Sequence, residues 1–428
     1  MGTGRRRAAA AVLACLGSFA GVWVAQCAAH VSMIDLMVYR AEGWTVRRGG
    51  DLYAMRATDA RLPTTYPPFA ALLFAPLSLP PTGVIRAAAT AANLGLVLAL
   101  ASLSLRLVGR RSRTAVLAVA AAAVWCEPVW TTLKNGQVNL LLAVLVLWDL
   151  TRRPAHRWAG VGIGLAAGIK LTPALFAVLL AVAGLLGRSG DAGHGAHARR
   201  ALVAAATFAG TVAFAAAALP YDSRRYWTSV VFAPDRIGFG EATANQSLRG
   251  ILARLEHTGD PGTLWLLTAL AVCCAGLAVA VAALLAGDRL PNGAAWATVA
   301  CAVTALLVSP VSWSHHWVWA VPMMVLLGAE AVRRRSRRWA CGAAAAGLPF
   351  FAFLPWQVPH GAGRPELRQT AGEMVLSAGY PLVGLAFLTM AGLLAFRALY
   401  QTPSRGASSE SGDSIGANKD FRPAQFRT

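Results

Sequence analysis

The sequence has few charged residues, and acids are especially scarce. Asp, Glu, Lys and Arg make up 14% of its 428 residues, with 19 acids against 39 bases, of which only three are lysine. Hydrophobic residues make up 56%, and the mean hydropathy is +0.52. This composition excludes an ordinary soluble domain. We therefore predict an integral membrane protein.

The common signatures of metal and disulfide sites are also missing. The seven cysteines lie almost entirely in apolar segments, and none forms a Cys-x-x-Cys pair. The sequence has no Asp-x-Asp or His-Glu-x-x-His motif, so no metal site is predicted. No internal repeat is visible, whereas transporters commonly show repeat symmetry and ionisable residues near the middle of their spans. A lipid or solute transporter remains the alternative outside the enzyme class.

Apolar segments of a length that suits membrane helices recur along the chain. They predict an all-α polytopic protein with about twelve transmembrane helices. The predicted segments are 8–30, 84–107, 114–127, 138–150, 157–170, 172–187, 201–219, 263–286, 292–309, 316–331, 339–354 and 378–400.

Basic clusters predict the orientation of these segments. Arg5 to Arg7 precede the first segment, and alternating spans put the later clusters, at 110–113, 152–157, 188–200 and 333–338, on the same side. The positive-inside rule makes that side cytoplasmic. The net charge of +20 is then mostly a topology signal, and no nucleic-acid partner is predicted.

The same topology predicts the domain organisation. Residues 1–400 form one membrane domain with both ends in the cytoplasm, and residues 401–428, rich in Ser, Gly and charge, form a disordered cytoplasmic tail. Two large loops, 31–83 and 220–262, face the outside. Most of the unusual polar residues fall on this outer side, which predicts an extracytoplasmic site.

A lone acid, Asp35, follows the first apolar segment. Asp35, Tyr39 and Glu42 are spaced i, i+4, i+7, while Trp44 falls on another face, which predicts a helix lying along the membrane interface. Asp35 could serve only to stabilise the helix dipole. Alternatively, it is a general base that takes a proton from a hydroxyl acceptor. One carboxylate suffices for an inverting displacement when the leaving group departs without help.

The segment TTYPPFAALLFAPLSLPP has five prolines between residues 67 and 81. Proline at this density excludes one smooth helix. We predict a short or re-entrant helix with Tyr66 at its mouth. A proline-kinked span is the alternative.

Two further segments combine amide and basic side chains. Asn135, Gln137 and Asn139 lie in LKNGQVNLLL at a predicted helix start, which favours an anion or a sugar, although Asn135 could simply cap the next helix. Lys170 lies in an apolar run just before Pro173. It could snorkel to the interface or contact a phosphate.

Two outer segments complete the set of candidates. Asn245, Gln246 and Arg249 lie in NQSLRG, where solvation of the loop is the simpler explanation. His315 and His316 begin a predicted span in SPVSWSHHWVW. Because adjacent helical residues point about 100° apart, one histidine at most would face a site, where it could donate to a phosphate or a sugar hydroxyl.

The order of these segments resembles the polyprenol-phosphate-mannose-dependent α-(1→2)-mannosyltransferases of glycosyltransferase family 87. These belong to the polytopic C-type glycosyltransferases. The segments are DLMVY, DLY, TYPPF, NGQVN, GIKLTP, NQSLRG and SPVSWSHH, and the resemblance runs over about residues 8–400. Nothing in the chain resembles the C-terminal soluble or carbohydrate-binding domain of some larger members. That absence argues against polymer-length acceptors.

The resemblance implies a reaction. A polyprenyl-phosphate-mannose donor would give its mannose, without a metal, to an extracytoplasmic glycolipid or cell-envelope glycan in the cell membrane. Asp35 would be the catalytic base, and Lys170, Arg249 and one of His315 or His316 would hold the donor phosphate. The expected substrate-binding residues are Tyr39, Tyr66, Asn135, Gln137, Asn139, Asn245 and Gln246. A polyprenyl-phosphate arabinosyltransferase or a protein O-mannosyltransferase would use the same arrangement.

Overall fold

The structure is a computed structural model that describes residues 2–153, 156–187 and 194–400. Arg188 and the predicted tail at 401–428 lie outside these residues. The described chain is helical, with two isolated β-bridges and no strand. Its α-helices are α1 (Gly2–Ala28), α2 (Ile34–Arg47), α3 (Pro68–Phe74), α4 (Thr82–Leu107), α5 (Arg113–Ala123), α6 (Glu127–Asn135), α7 (Asn139–Leu150), α8 (Val161–Ile169), α9 (Ala174–Leu186), α10 (His194–Ala218), α11 (Pro220–Thr228), α12 (Leu248–Leu255), α13 (Gly262–Leu285), α14 (Gly293–Val308), α15 (Ala320–Arg334), α16 (Arg337–Phe351), α17 (Ala371–Ser377) and α18 (Gly379–Tyr400).

Each of the twelve predicted apolar segments contains a helix, but many of these helices are short. Among the described residues, five helices are long and apolar enough to cross a bilayer, namely α1, α4, α10, α13 and α18. A sixth span results if α5 and α6, which meet at a bend of 73°, are counted together. The count of twelve spans is therefore not confirmed, whereas a multi-pass, all-helical membrane protein is.

The short helices result from breaks that the sequence encodes. Lys170 ends α8 with an extended backbone (φ −151°, ψ 131°), and Pro173 precedes the first residue of α9. The predicted span at 316–331 begins later than expected, because residues Ser314–Trp319 form a 3₁₀ helix and α15 starts only at Ala320. These breaks expose backbone groups and polar side chains next to apolar helices.

The helices pack into one bundle with an aromatic centre. α13 packs on α14 and α18, α10 packs on α8 and α9, and α4 packs on α5, α7 and α15. Trp317, Phe350 and Tyr380 are buried together between α15, α16 and α18. Burial of each such ring contributes roughly 1.5–3 kcal/mol to stability, which makes this a rigid platform for the neighbouring 3₁₀ helix.

Short helices in the two predicted outer loops cover one end of this bundle. α2 is amphipathic, with Leu36, Tyr39 and Glu42 buried and Trp44 46% exposed. α3 has only seven residues and continues as a 3₁₀ helix to Ser78, so it is short, as the proline-rich sequence predicts. α2 packs directly on α3, and α11 also contacts α3.

Candidate active site

A cavity of about 580 Å³ lies where α2, the segment before α3 and the breaks in the bundle meet. Six of the residues singled out in the sequence line it together. They are Asp35, Tyr39, Tyr66, Gln137, Lys170 and His316. The sequence separates these residues by up to 281 positions, so the fold alone brings them to one place. The cavity is the candidate active site.

Asp35 enters this cavity from the first turn of α2. Its side chain is partly exposed. Burial raises its pKa above the usual range, and hydrogen bonding from Gln137, the charge of Lys170 and hydrogen bonding from Asn135 oppose part of that rise. Asp35 is therefore a carboxylate that is more basic than usual, which suits a general base.

Two tyrosines fix the orientation of the amide beside Asp35. The hydroxyl of Tyr39 donates to Oε1 of Gln137 at 2.7 Å, and the hydroxyl of Tyr66 lies 3.2 Å from the same oxygen. The two hydroxyl oxygens are 2.9 Å apart, and the rings meet edge to face. Because Oε1 of Gln137 already accepts, its amide nitrogen is the group that can donate to Asp35.

A glycine turn brings the amides close to α2. Gly136 ends α6 in the left-handed region (φ 69°), and a Cβ atom there would lie 2.7 Å from Cβ of Leu36. Only glycine fits both constraints without strain. Asn135 is thus the last residue of α6 and does not cap α7, whose N-cap position is Val138. The alternative in which Asn135 caps the next helix is therefore wrong, whereas the predicted segment 138–150 agrees with α7, which begins at Asn139.

Lys170 occupies the break between α8 and α9. Its Nζ lies 2.9 Å from Nε2 of His316 and 3.4 Å from Oδ1 of Asn139, and it sits 5.5 Å from the centre of the Tyr66 ring. A protonated lysine can only donate, so Nε2 of His316 accepts and its Nδ1 carries the proton. Lys170 and His316 therefore form one cationic, hydrogen-bonding pair on the cavity wall.

The two adjacent histidines have different surroundings. His316 lines the cavity, whereas His315 is buried and its ring lies edge to face with that of His316. The backbone carbonyl of His315 accepts from Thr132 at 3.1 Å and from Asn139 at 3.2 Å. This contact ties the 3₁₀ helix to α6 and α7. The structure thus selects His316 as the histidine that can meet a ligand.

A buried acid that the sequence analysis did not single out holds this 3₁₀ helix in place. Oε1 of Glu127 accepts from Ser314 and from the indole of Trp356, both at 2.9 Å, and Oε2 accepts from the hydroxyl of Tyr380 at 2.8 Å. Thr131 donates to Oε1 as well. A solitary acid at the end of an apolar segment is the signal that could have revealed it.

Arg249 has a setting different from the expected one. Its side chain is 4% exposed and pairs with Asp235 at 3.1 Å and Asp260 at 3.5 Å. It does not line the cavity, although Trp265, which does, lies beneath its guanidinium. Arg249 is therefore a partner of loop carboxylates in this structure.

Asn245 and Gln246 likewise lie outside the cavity lining and hold two segments together. Oδ1 of Asn245 accepts from the backbone N–H of Ser312 at 2.9 Å, and Nε2 of Gln246 donates to the carbonyl of Ser377 at 2.7 Å. The backbone N–H of Gln246 donates to the carbonyl of Ser312, also at 2.7 Å. Both residues position the segment that leads to His316.

Arg236 is a cavity residue that the sequence analysis did not single out. It follows Asp235 in the second large loop, where charged residues are usually solvated.

Within the described chain, no three side chains among His, Cys, Asp and Glu come together as a group that could hold a metal ion. The charged residues that line the cavity are Asp35, Lys170 and Arg236, and His316 lies beside Lys170.

Glu42 lies in α2 beyond Tyr39, fully buried. Burial raises its pKa from 4.5 to about 8, and the Thr64 hydroxyl opposes part of that rise. Between these two pH values the folded protein binds more protons than the unfolded one, so stability falls as pH rises from 4.5 to 8, by a few kcal/mol at most. We expect Glu42→Gln to remove this loss, so that at pH 8.5 it melts above the wild type.

Thermal unfolding in detergent between pH 5 and pH 9 measures this effect. The exposed Glu256 at the end of α12 provides a matched control, since Glu256→Gln should keep the wild-type pH dependence. A Glu42→Gln protein whose melting temperature still falls by the wild-type amount would contradict the assignment.

Fold and site together define a multi-pass membrane enzyme whose acid, cation and aromatic side chains converge on one cavity beside apolar helices. Comparison with known proteins makes this specific. The model of glycosyltransferase family 87 matches residues 65–310. The chain belongs to glycosyltransferase family 87.

Several relatives from mycobacteria are similar to this chain over most of their own length. A polyprenol-phosphate-mannose-dependent α-(1-2)-phosphatidylinositol mannoside mannosyltransferase of Mycolicibacterium smegmatis is 35% identical over 80% of this chain and 78% of its own. Its namesake from Mycobacterium tuberculosis is 32% identical over 84% of each chain. A phosphatidylinositol pentamannoside mannosyltransferase of Mycolicibacterium smegmatis is 35% identical over 82% of this chain and 84% of its own.

A crystal structure of ArnT from Cupriavidus metallidurans bound to undecaprenyl phosphate has a TM-score of 0.44 with this chain at 15% identity. The similarity covers 93% of this chain and 78% of the other.

Proposed function

We propose that this chain transfers mannose from a polyprenyl-phosphate-mannose donor to a glycolipid or cell-envelope glycan, with inversion, to form an α-(1→2) linkage. The relatives support the donor and the linkage, because their names specify both. The observation that carries the proposal is the convergence of Asp35, Lys170 and His316 on one cavity. A carboxylate and a cation in one cavity are what displacement of a lipid phosphate requires.

The reaction is a single displacement at the anomeric carbon. The acceptor hydroxyl attacks C1 of mannose while the bond between C1 and the phosphate oxygen breaks. The hydroxyl proton passes to Asp35, and polyprenyl phosphate leaves. A β-linked donor thus gives an α-linked product. The phosphate is a good leaving group by itself, so the reaction needs no metal.

Lys170 and His316 meet the charge that develops on the leaving phosphate. Preorganised donors at such a position stabilise the transition state more than the ground state. Asn139 holds the ammonium group of Lys170 from the side at 3.4 Å. Asn135 supports Asp35 through a side-chain hydrogen bond. We assign the sugar hydroxyls to Tyr39, Tyr66 and Gln137, which line the cavity together with Asp35.

We further propose that the shorter helices complete a twelve-span bundle in the cell membrane, with the cavity on the extracytoplasmic side. Arg5 to Arg7 and the cluster at 333–338 support this orientation through the positive-inside rule. The short apolar helices α7, α9 and α14 are then spans that lie inside the bundle or join through breaks. The acceptor reaches the cavity from the outer leaflet.

Purified protein in liposomes tests the proposed function. We expect mannose to move from polyprenyl-phosphate-mannose to phosphatidylinositol mannoside at the same rate with and without EDTA. Polyprenyl-phosphate-arabinose should give no product. Transfer of arabinose instead, or a rate that EDTA abolishes, would contradict the proposal. Movement of intact donor across the bilayer without transfer would favour a transporter.

The two histidines provide an internal comparison. Because the ring of His316 lines the cavity and contacts Lys170, we expect His316→Gln to lower kcat/KM for mannosyl transfer by about 10²-fold. His315→Gln should lower it less than tenfold, since among the described residues His315 makes hydrogen bonds through its backbone carbonyl and its Nε2 has no partner. Steady-state kinetics of both variants, normalised to folded protein, measures the difference. A larger loss for His315→Gln would reverse the assignment.

A further inference from the structure

The cavity contains a second cation besides Lys170. Arg236 lines it from the short 3₁₀ segment Pro234–Arg236, whereas Lys170 lies in the break between α8 and α9. Among the described residues the two cations share no hydrogen-bond partner, because Lys170 contacts Asn139 and His316 while Arg236 contacts the backbone around Tyr53. One cavity therefore presents two separate cationic positions.

Arg236 uses only part of its hydrogen-bonding capacity within the described chain. One terminal nitrogen donates to the carbonyl of Tyr53 at 2.8 Å and lies 3.5 Å from that of Thr64. Nε is buried without a partner, and among the described residues no hydrogen bond engages the other terminal nitrogen. A guanidinium has five N–H donors in a planar fork that matches a phosphate. The other terminal nitrogen of Arg236 thus has its donors left for a ligand.

The charge of Arg236 is not neutralised by a salt bridge to any described carboxylate. The nearby acid Asp51 pairs with Arg225 instead. Burial lowers the pKa of Arg236, as do the charges of Arg56 and Arg225, and the charges of Tyr53 and Asp51 oppose part of that fall. A partly buried cation without a salt bridge is less favourable than one that an anion joins, so this position favours a bound anion.

Apolar side chains flank this cation on the same wall of the cavity. Phe232 is 76% exposed and Ile237 is 37% exposed, and both line the cavity together with Val230 and Val231. Exposed large apolar residues beside a membrane cavity suit contact with acyl chains. The combination of a free guanidinium and an apolar rim matches a lipid that carries a phosphate next to its acyl chains.

We propose that Arg236 binds the phosphate of an anionic glycolipid acceptor, at a site separate from the donor phosphate at Lys170 and His316. The inference rests on the proposed function, and it assigns one residue of this chain to the phosphate of the acceptor. The guanidinium holds the phosphate at the rim, and the acceptor sugar extends into the cavity toward Asp35. Arg236 is a specificity-determining residue and does not touch the reacting atoms.

Two acceptors with similar anchors test this site. One is phosphatidylinositol mannoside, and the other is mannosyl diacylglycerol, which has acyl chains but no phosphate. We expect Arg236→Gln to raise KM for the phosphorylated acceptor by roughly 10- to 100-fold, as for loss of a charge-assisted hydrogen bond. KM for the donor and for mannosyl diacylglycerol should change less than twofold. Arg236→Lys should restore part of the affinity.

Arg56→Gln is the matched control. Arg56 is exposed, carries the same charge in the neighbouring loop and does not line the cavity. It should leave KM for both acceptors within about twofold of the wild type, since exposed charges contribute little to binding. Equal losses for the two acceptors in Arg236→Gln would show a structural role. A raised donor KM in Arg236→Gln would assign Arg236 to the donor phosphate. An unchanged KM for phosphatidylinositol mannoside in Arg236→Gln would also overturn the proposal.

Direct binding separates this proposal from the proposed function. Binding of each lipid to the purified protein, without donor, is measured by native mass spectrometry. The wild type should bind phosphatidylinositol mannoside at least tenfold more tightly than mannosyl diacylglycerol, and Arg236→Gln should lose that preference. If this holds but no mannose is transferred, the site stands and the proposed function fails. If transfer occurs and the wild type shows no preference, the function stands and the site fails.

Discussion

Replacing Asp35 with asparagine lowers kcat for mannosyl transfer by about 10³-fold, within the range expected for loss of a general base. Asparagine keeps the size of the side chain and can still bond to Gln137 and Asn135, but it cannot take a proton. The substrate hydroxyl must then lose its proton to water. KM for the donor should change little, since the phosphate contacts at Lys170 and His316 remain. Steady-state kinetics in liposomes measures both constants.

The pH profile adds a signature that misfolding would not produce. The pKa of Asp35 is raised by burial, and only its ionised form is a base, so the wild-type rate should rise with pH through that raised value. The residual rate of Asp35→Asn should lack this rise. Asp59, an exposed acid in the same loop, provides the matched control, and Asp59→Asn should behave as the wild type. A fully active Asp35→Asn would refute the assignment.

Replacing Lys170 with glutamine has the second-largest expected effect. We expect kcat/KM to fall by about 10²- to 10³-fold, as when a preorganised donor to a developing anion is lost, which corresponds to roughly 3–4 kcal/mol. Lys170 is held by Asn139 and His316, so its ammonium needs no reorganisation when charge appears on the phosphate. Part of the loss should appear in the donor KM, because the ground-state phosphate is also charged.

The chain offers a close control for this variant. Lys134 is exposed in the last turn of α6. It lies close in sequence to Gln137 but does not line the cavity. Lys134→Gln should keep at least half of the wild-type kcat/KM. If both lysine variants lose activity equally, the loss reflects the net charge of the surface. That result would contradict a specific phosphate contact at Lys170.

Much of the helical architecture is predictable because hydrophobic length and helical spacing are local properties. Asp35, Tyr39 and Glu42 at i, i+4, i+7 predict one helix, and α2 spans all three. Prolines at 76, 80 and 81 explain why α3 stays short. Lys170 before Pro173 predicts a break, and α8 ends there. In each case the nearest few residues contain the physical cause.

Features that depend on distant partners are not predictable in this way. The sequence cannot distinguish Arg249, which pairs with two loop acids, from Arg236, which lines the cavity, because both lie in one charged loop. The choice between His315 and His316 depends on the 3₁₀ geometry and on Glu127 of α6, which holds Ser314. Asn245 and Gln246 have the composition of a binding loop, but their partners lie near residues 312 and 377.

The number of spans shows a different limit. Hydropathy identifies apolar segments, but it does not say whether a segment of nine to sixteen residues crosses the bilayer, packs inside the bundle or joins its neighbour. α5 and α6 are one apolar stretch that bends by 73°. The bend follows from Pro128 in the first turn of α6 and positions Glu127 under the 3₁₀ helix.

The linkage in the product tests the central claim most directly. Purified protein in liposomes is given polyprenyl-phosphate-mannose labelled with ¹³C at C1 of the sugar and phosphatidylinositol mannoside, and the product is examined by NMR. We predict a new α-(1→2)-linked mannose from the β-linked donor, as a single inverting displacement requires. A β-linked mannose would contradict the inverting mechanism, and absence of any labelled product would contradict the assigned donor.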